Sequence, residues 1–150
     1  MAATKLALST IDLPPYAALG LTQSWEPIGG QGNVRRTING DLVDLSDPAF
    51  YKFHSSVQCK HFQSPSFNDV HVGQLVTVNC VFELSYLIPT PEDEDPVGEG
   101  AMYPIVAGSI RDRDGFRFYR PAIPMMVIGF AIDRDEFGAQ TGWSLELEEV

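Results

Sequence analysis

The sequence predicts an all-β protein, a single-domain antiparallel β-sandwich or barrel with long loops and at most one short helical turn. Short runs rich in Val, Ile, Phe, Tyr and Thr alternate apolar and polar residues with the period of a half-buried strand. Eleven prolines and thirteen glycines punctuate those runs, and the 3.6-residue periodicity of an amphipathic helix is nearly absent. With 44% hydrophobic and 11% aromatic content, 150 residues suffice for one packed core. Residues 21–150 are read as the β domain and residues 1–20 as an extended N-terminal arm.

The opening MAATKLALSTI stops at Asp12 and Pro14-Pro15, too short for a secretory signal. It reads as a lead-in held only where something else binds it. A strand is expected around Leu19 to Trp25, followed by a turn at Gly29-Gly30 and Gly32. Then comes VRRTINGDLVDL, residues 34–45, where Asn39-Gly40 is the residue pair of a type I′ turn. Pairing outward sets Ile38 opposite Asp41, Thr37 opposite Leu42, Arg36 opposite Val43 and Arg35 opposite Asp44, with an ion pair across the last. Ser46 or Asp47 as N-cap and Pro48 at the first helical position predict one helical turn.

Two strands carry the only cysteines, YKFHSSVQC and QLVTVNCVFELSY, on either side of a loop from Phe62 to Gly73. Alternation puts Phe53, Val57 and Cys59 on one face of the first, and Val76, Val78, Cys80, Phe82 and Leu84 on one face of the second. Cys59 and Cys80 thus point to the apolar side of neighbouring strands, as a disulfide if they lie opposite one another or as two buried thiols. The stretch 89–104, with Glu92, Asp93, Glu94 and Asp95, reads as a solvated acidic loop, lacking the alternating ligands and central glycine of a calcium loop.

The C-terminal third reads as the strands YPIVAGSI, GFRFYRPAI, PMMVIGFAI and AQTGWSLELEEV, with Asp114-Gly115 as an ordinary turn dipeptide. Met126, Ile128, Phe130 and Ile132 fall on one face and Met125, Val127 and Ala131 on the other, predicting a strand covered on both sides. Trp143, Leu145 and Leu147 alternate with Ser144, Glu146 and Glu148, a half-exposed strand that, at the chain end, is expected to be an edge.

Twenty acidic and ten basic residues give a formal charge of −10, which repels phosphates and anionic lipid unless cations cluster. They do not cluster convincingly: Arg35-Arg36 and the series Arg111, Arg113, Arg117 and Arg120 come closest, and the latter is interleaved with Asp112 and Asp114. No run reaches the roughly 18 apolar residues of a membrane-spanning helix. No partnership with nucleic acid or membrane is therefore expected. Nor is an enzyme: the chain has no Gly-x-Ser-x-Gly elbow, phosphate-binding glycine loop or His-Glu-x-x-His pair. Cys59, His61, His71 and Cys80 hold the ligand types of a zinc site, but Cys80 lacks a paired ligand two to four residues away. No metal or cofactor is expected. Trp25, Tyr119 and Phe137 are aromatic candidates for contact with other proteins, against the competing reading that each packs a core or a turn.

The runs GLTQSWEPI, RRTINGDLVDLSDPAFYKFHSSVQC, GQLVTVNCVFEL, FYRPAIPMMV and EFGAQTGWSLELEEV resemble small virion structural proteins of tailed bacteriophages, the minor tail and tail-tip proteins of siphophages. The resemblance spans about Leu21 to Val150, and the 89–104 loop and N-terminal arm depart from it. It implies a structural subunit of the distal tail or baseplate, assembled in the host bacterial cytoplasm through contacts with other virion proteins in a homo-oligomeric ring or lattice. It supplies no catalytic residue. A capsid decoration or head–tail connecting protein is the alternative within the virion, and a carbohydrate-binding β-sandwich module is the alternative of another class.

Overall fold

The computed structural model describes residues 5–14, 20–28, 34–45, 47, 51–60, 64–88, 100–138 and 141–150. Apart from exposed Asp47, the expected helical turn at 46–50 lies outside them, as does the acidic cluster at 92–95. The described residues form strands β1 (Ala7–Leu8), β2 (Thr22–Pro27), β3 (Val34–Arg36), β4 (Leu42–Asp44), β5 (Phe53–Lys60), β6 (Leu75–Asn79), β7 (Leu84–Leu87), β8 (Arg111–Arg113), β9 (Phe116–Tyr119), β10 (Ala122–Arg134) and β11 (Thr141–Glu149). The fold is all-β and antiparallel, as the sequence predicts, and sandwich-like rather than closed into a barrel.

The core lies on one face of a six-stranded sheet in the order β1-β6-β10-β11-β5-β2. Val57 and Cys59 of β5, Trp143, Leu145 and Leu147 of β11, Ile123, Met125 and Val127 of β10, and Val76 and Val78 of β6 are all buried. Period-two alternation thus holds across β5, β6 and β11 and along β10 as far as Val127.

Residues 5–14 belong to this core instead of waiting for a partner. β1 pairs with β6, Ala7 opposite Asn79 and Leu8 opposite Val78, and Leu6, Leu8 and Ile11 are buried. Three large aliphatic side chains removed from water contribute several kcal/mol, at about 1.5–3 kcal/mol each, which is what holds the segment down. The terminal strand β11 is likewise no edge. It is paired on both sides, with Leu145 opposite Phe130 of β10 and opposite Val57 of β5, so the sheet's edges are β1 and β2.

Two of the expected strands are cut differently. QLVTVNCVFELSY bends at 80–83, and beyond the bend β7 leaves the large sheet for a three-stranded sheet ordered β7-β9-β8. GFRFYRPAI breaks at Arg120-Pro121, and the Cys80 N–H donates to the Pro121 carbonyl at 3.0 Å where the two bends meet. The segment YPIVAGSI forms no strand, only an isolated bridge between Ile105 and Pro121. Pro124, by contrast, sits inside β10 opposite Thr77. Its carbonyl accepts from the Val150 N–H, so its ring nitrogen faces past the end of β11, where no ladder donor is needed.

In β10 the register against β11 shifts between Val127 and Gly129, a β-bulge centred on Ile128. The extra residue reverses the parity. Met126, opposite Glu148, lies on the outer face, whereas Phe130 and Ile132, opposite Leu145 and Trp143, lie on the core face. Phe130 accordingly packs on Phe67, ring centroids 4.9 Å apart. The four residues do not share a face, and their exposures of 36–53% show that β10 is not covered on both sides.

The two dipeptide turns exchange roles. At Asp114-Gly115 both residues have positive φ, 52° and 80°, and Arg113 pairs with Phe116, so this is the two-residue type I′ turn. At Asn39-Gly40 only Gly40 has positive φ, 88°. The Thr37 N–H donates to the Asp41 carbonyl at 2.8 Å and the Gly40 N–H to the Thr37 carbonyl at 2.9 Å. That is a three-residue loop ending in a left-handed glycine. The register moves by one residue, placing Arg35 opposite Val43 and Asp44 opposite Val34, and the expected Arg35–Asp44 cross-strand pairing is replaced.

Candidate interaction surfaces

Of the three aromatic contact candidates, only Phe137 is fully presented to solvent, 89% exposed in the β10–β11 connection. Tyr119 is buried. Its hydroxyl accepts the Met102 N–H at 3.1 Å and its ring meets Tyr86 edge-on, so it packs the junction of the two sheets and offers no surface. Trp25 is half-buried. It stacks on Phe53 at 4.0 Å between centroids and adjoins Phe82 and Tyr103, an aromatic cluster that closes the β2 end of the core.

Polar side chains tie that end together. The Gln23 amide nitrogen donates to Ser55 Oγ at 3.0 Å, its carbonyl oxygen accepts the Val81 N–H at 2.9 Å, and Ser55 Oγ donates to the Ser24 carbonyl at 2.8 Å. Ser55 is fully buried, and these bonds are what make a polar residue tolerable there. Glu149 takes two donors, the Tyr103 hydroxyl at 2.9 Å and the Phe53 N–H at 3.2 Å. Burial first, and then the Glu149 carboxylate, hold the Tyr103 phenol above its ordinary pKa.

Cys59 and Cys80 are buried, and neither is in a disulfide. β10 and β11 lie between their strands, so the two are not neighbours across a ladder as the sequence reading had them. Burial raises both thiols, Cys80 to about 12, and so keeps them protonated and unreactive. His61 lies outside the described residues, and His71 is exposed. Among the described residues no group of His, Cys, Asp and Glu is arranged to hold a metal ion.

Two surfaces remain that alternation alone does not reveal. On the outer face of the large sheet, Leu75 and Met126 sit opposite one another, with Glu148 opposite Met126 on the next strand. The apolar strip of Leu75, Met126 and Ile128 is exposed. Beside it runs an acidic one, where His54 Nε2 lies 2.9 Å from Glu146, His54 Nδ1 lies 3.5 Å from Glu26, and Ser56 Oγ donates to Glu146 at 2.8 Å. Ser56 and His54 meet on a shared carboxylate and not on one another, so they form no nucleophile–base pair.

The second surface is the β3–β4 hairpin. Its residues are exposed throughout, and among the described strands β3 and β4 contact only each other. Val34, Leu42, Val43 and Leu45 are exposed, and Ile38 at the tip is 102% exposed. The signal is present in the sequence, since five large aliphatic residues in twelve are too many for a solvated hairpin. The chain matches no protein-family model, and the searches of curated proteins and solved structures likewise return no match.

Proposed function

We propose that this chain is a non-catalytic structural subunit that acts through protein–protein contacts, in the virion of a tailed phage and in the distal tail or baseplate region. The observation that carries the assembly role is the β3–β4 hairpin, an arm rich in exposed aliphatic side chains that no other described strand covers. Apolar surface of this kind on a small domain marks a contact site. The phage setting comes from the sequence resemblance, whose strongest segment contains this hairpin. A carbohydrate-binding module would need a presented aromatic platform, and the chain's two tryptophans are half-buried Trp25 and buried Trp143. The test is location: antibody against the chain should label purified particles at one site with a fixed copy number. A chain missing from purified particles refutes the virion role, and saturable glycan binding by the monomer would replace it with the module reading.

A further inference from the structure

We infer that Asn39-Gly40 is a site of spontaneous covalent modification, where the Asn39 side-chain amide is lost as ammonia and the residue becomes aspartate or isoaspartate. The nucleophile is the Gly40 backbone nitrogen. Its attack on Asn39 Cγ forms the N–Cγ bond of a five-membered succinimide and breaks the bond from Cγ to Nδ2. The Gly40 N–H proton passes through solvent to the departing nitrogen, which leaves as ammonia. Water then adds to one of the two imide carbonyls. Breaking the new N–Cγ bond gives aspartate, and breaking the original peptide bond gives isoaspartate, whose backbone runs through the side chain and is one atom longer. Nothing is oxidised or reduced, and water is the only co-reactant.

Ring closure needs an unshielded nucleophile and a peptide free to swing, and this site has both. Gly40 has no side chain to cover its nitrogen. Among the described residues, no heavy atom beyond the two flanking residues lies within 4 Å of where a Gly40 side chain would begin. Asn39 and Gly40 are exposed, so water reaches every step. What resists is the turn, because attack swings the connecting peptide and breaks the 2.9 Å bond from the Gly40 N–H to the Thr37 carbonyl. Loss of one solvent-exposed bond of this kind lowers the reactive population about twofold to tenfold. The strands on either side contact no other described strand, and a lone hairpin is marginally stable in water, so the arm itself opens readily.

The chain's other asparagines are Asn33, Asn68 and Asn79, and none combines these features. Asn79 lies in β6 between Ala7 and Ala122, and the following N–H, of buried Cys80, is bonded to the Pro121 carbonyl. Asn68 Nδ2 donates to Asp69 Oδ2 at 3.1 Å, and the Asp69 side chain flanks the nitrogen that would attack. Asn33 lies outside the described residues, and β-branched Val34 follows it. Reaction at Asn39 therefore alters the arm before the rest of the chain. Residues 34–45 hold two arginines and two aspartates, so the new carboxylate turns a neutral arm into an anionic one. Isoaspartate also lengthens the three-residue loop that sets the register of β3 against β4.

The experiment incubates the full chain in warm, mildly alkaline buffer, folded and separately unfolded in urea, and follows each asparagine by peptide mapping with mass spectrometry. Asn39 should react first in the folded chain, at a rate within about tenfold of its unfolded rate. Its peptide should split into aspartate and isoaspartate forms. In the unfolded chain, where the φ of 88° at Gly40 imposes no strain, Gly40→Ala should slow the loss several-fold by shielding the nitrogen. A folded rate at Asn39 more than about tenfold below the unfolded one overturns the site, as does earlier reaction at Asn33, Asn68 or Asn79. Aspartate as the sole product, or a Gly40→Ala variant that reacts as fast as wild type, overturns the ring closure.

Discussion

Gln23 is the side chain whose loss should cost most for its size. Gln23→Met keeps the length and volume while deleting both hydrogen bonds that join edge strand β2 to Ser55 and to the Val81 N–H. The half-buried Val81 N–H then loses its side-chain acceptor, at about 1–3 kcal/mol for an orphaned donor. Ser55 keeps its bond to the Ser24 carbonyl and loses only an accepted one, about 0.5–1 kcal/mol more. The expected total, about 1.5–4 kcal/mol, is a substantial part of the 5–15 kcal/mol typical of a domain. Urea unfolding should show a lower midpoint with an unchanged slope, and the melting temperature should fall by about 3–16 °C for a chain of this size. Ser55→Ala removes the other side of the bridge. In the double variant the two losses should fall short of their sum by about 0.5 kcal/mol or more, the signature of a shared network. A Gln23→Met loss below about 0.5 kcal/mol, or strict additivity with Ser55→Ala, would refute the claim that this amide holds the β2 end together.

Four further outcomes follow from the same geometry. The Cys80 thiol is raised by burial, so the folded state holds its proton more tightly than the unfolded chain, and that stability is intact below the unfolded thiol value of about 8.5. It should drain away as pH rises from there toward about 12, by at most about 1.4 kcal/mol per pH unit, and Cys80→Ala should flatten that part of a chemical-denaturation profile. Tyr103 titrates in the same sense but higher, its loss beginning near the ordinary phenol value of about 10, and Tyr103→Phe should remove that later decline. Gly115→Ala places a Cβ at φ 80° in the type I′ turn and should cost about 1 kcal/mol in the same denaturation assay, whereas Phe137→Ser, on a side chain 89% exposed, should change stability by less than about 0.5 kcal/mol.

Alternation made the core legible. Trp143, Leu145 and Leu147, and likewise Val57 and Cys59, were placed correctly because a strand buried on one face writes its period into the sequence. What alternation leaves unwritten is which strand lies beside which. Cys59 and Cys80 look adjacent by sequence order, yet two strands separate them, because the chain returns to the sheet's centre only with β10 and β11. The same gap explains the arm: nothing local in KLALSTI announces a partner, and its burial is decided by Val78, seventy residues away in the chain. Of the three aromatic contact candidates, Tyr119 failed for a related reason. It is buried by Tyr86 and the Met102 backbone, contacts that depend on β7 pairing with β9.

The surfaces that matter most for assembly depend on single residues that shift a register. One extra residue at Ile128 turns Phe130 and Ile132 toward the core and leaves Met126 and Ile128 outside, so the apolar strip on the outer face ends where the bulge begins. At the hairpin, a three-residue loop in place of a two-residue turn puts Arg35 opposite Val43 and Arg36 opposite Leu42. Each arginine is thereby paired with an aliphatic residue across the ladder, as Asp44 is with Val34, and both faces of the arm mix charged and apolar side chains.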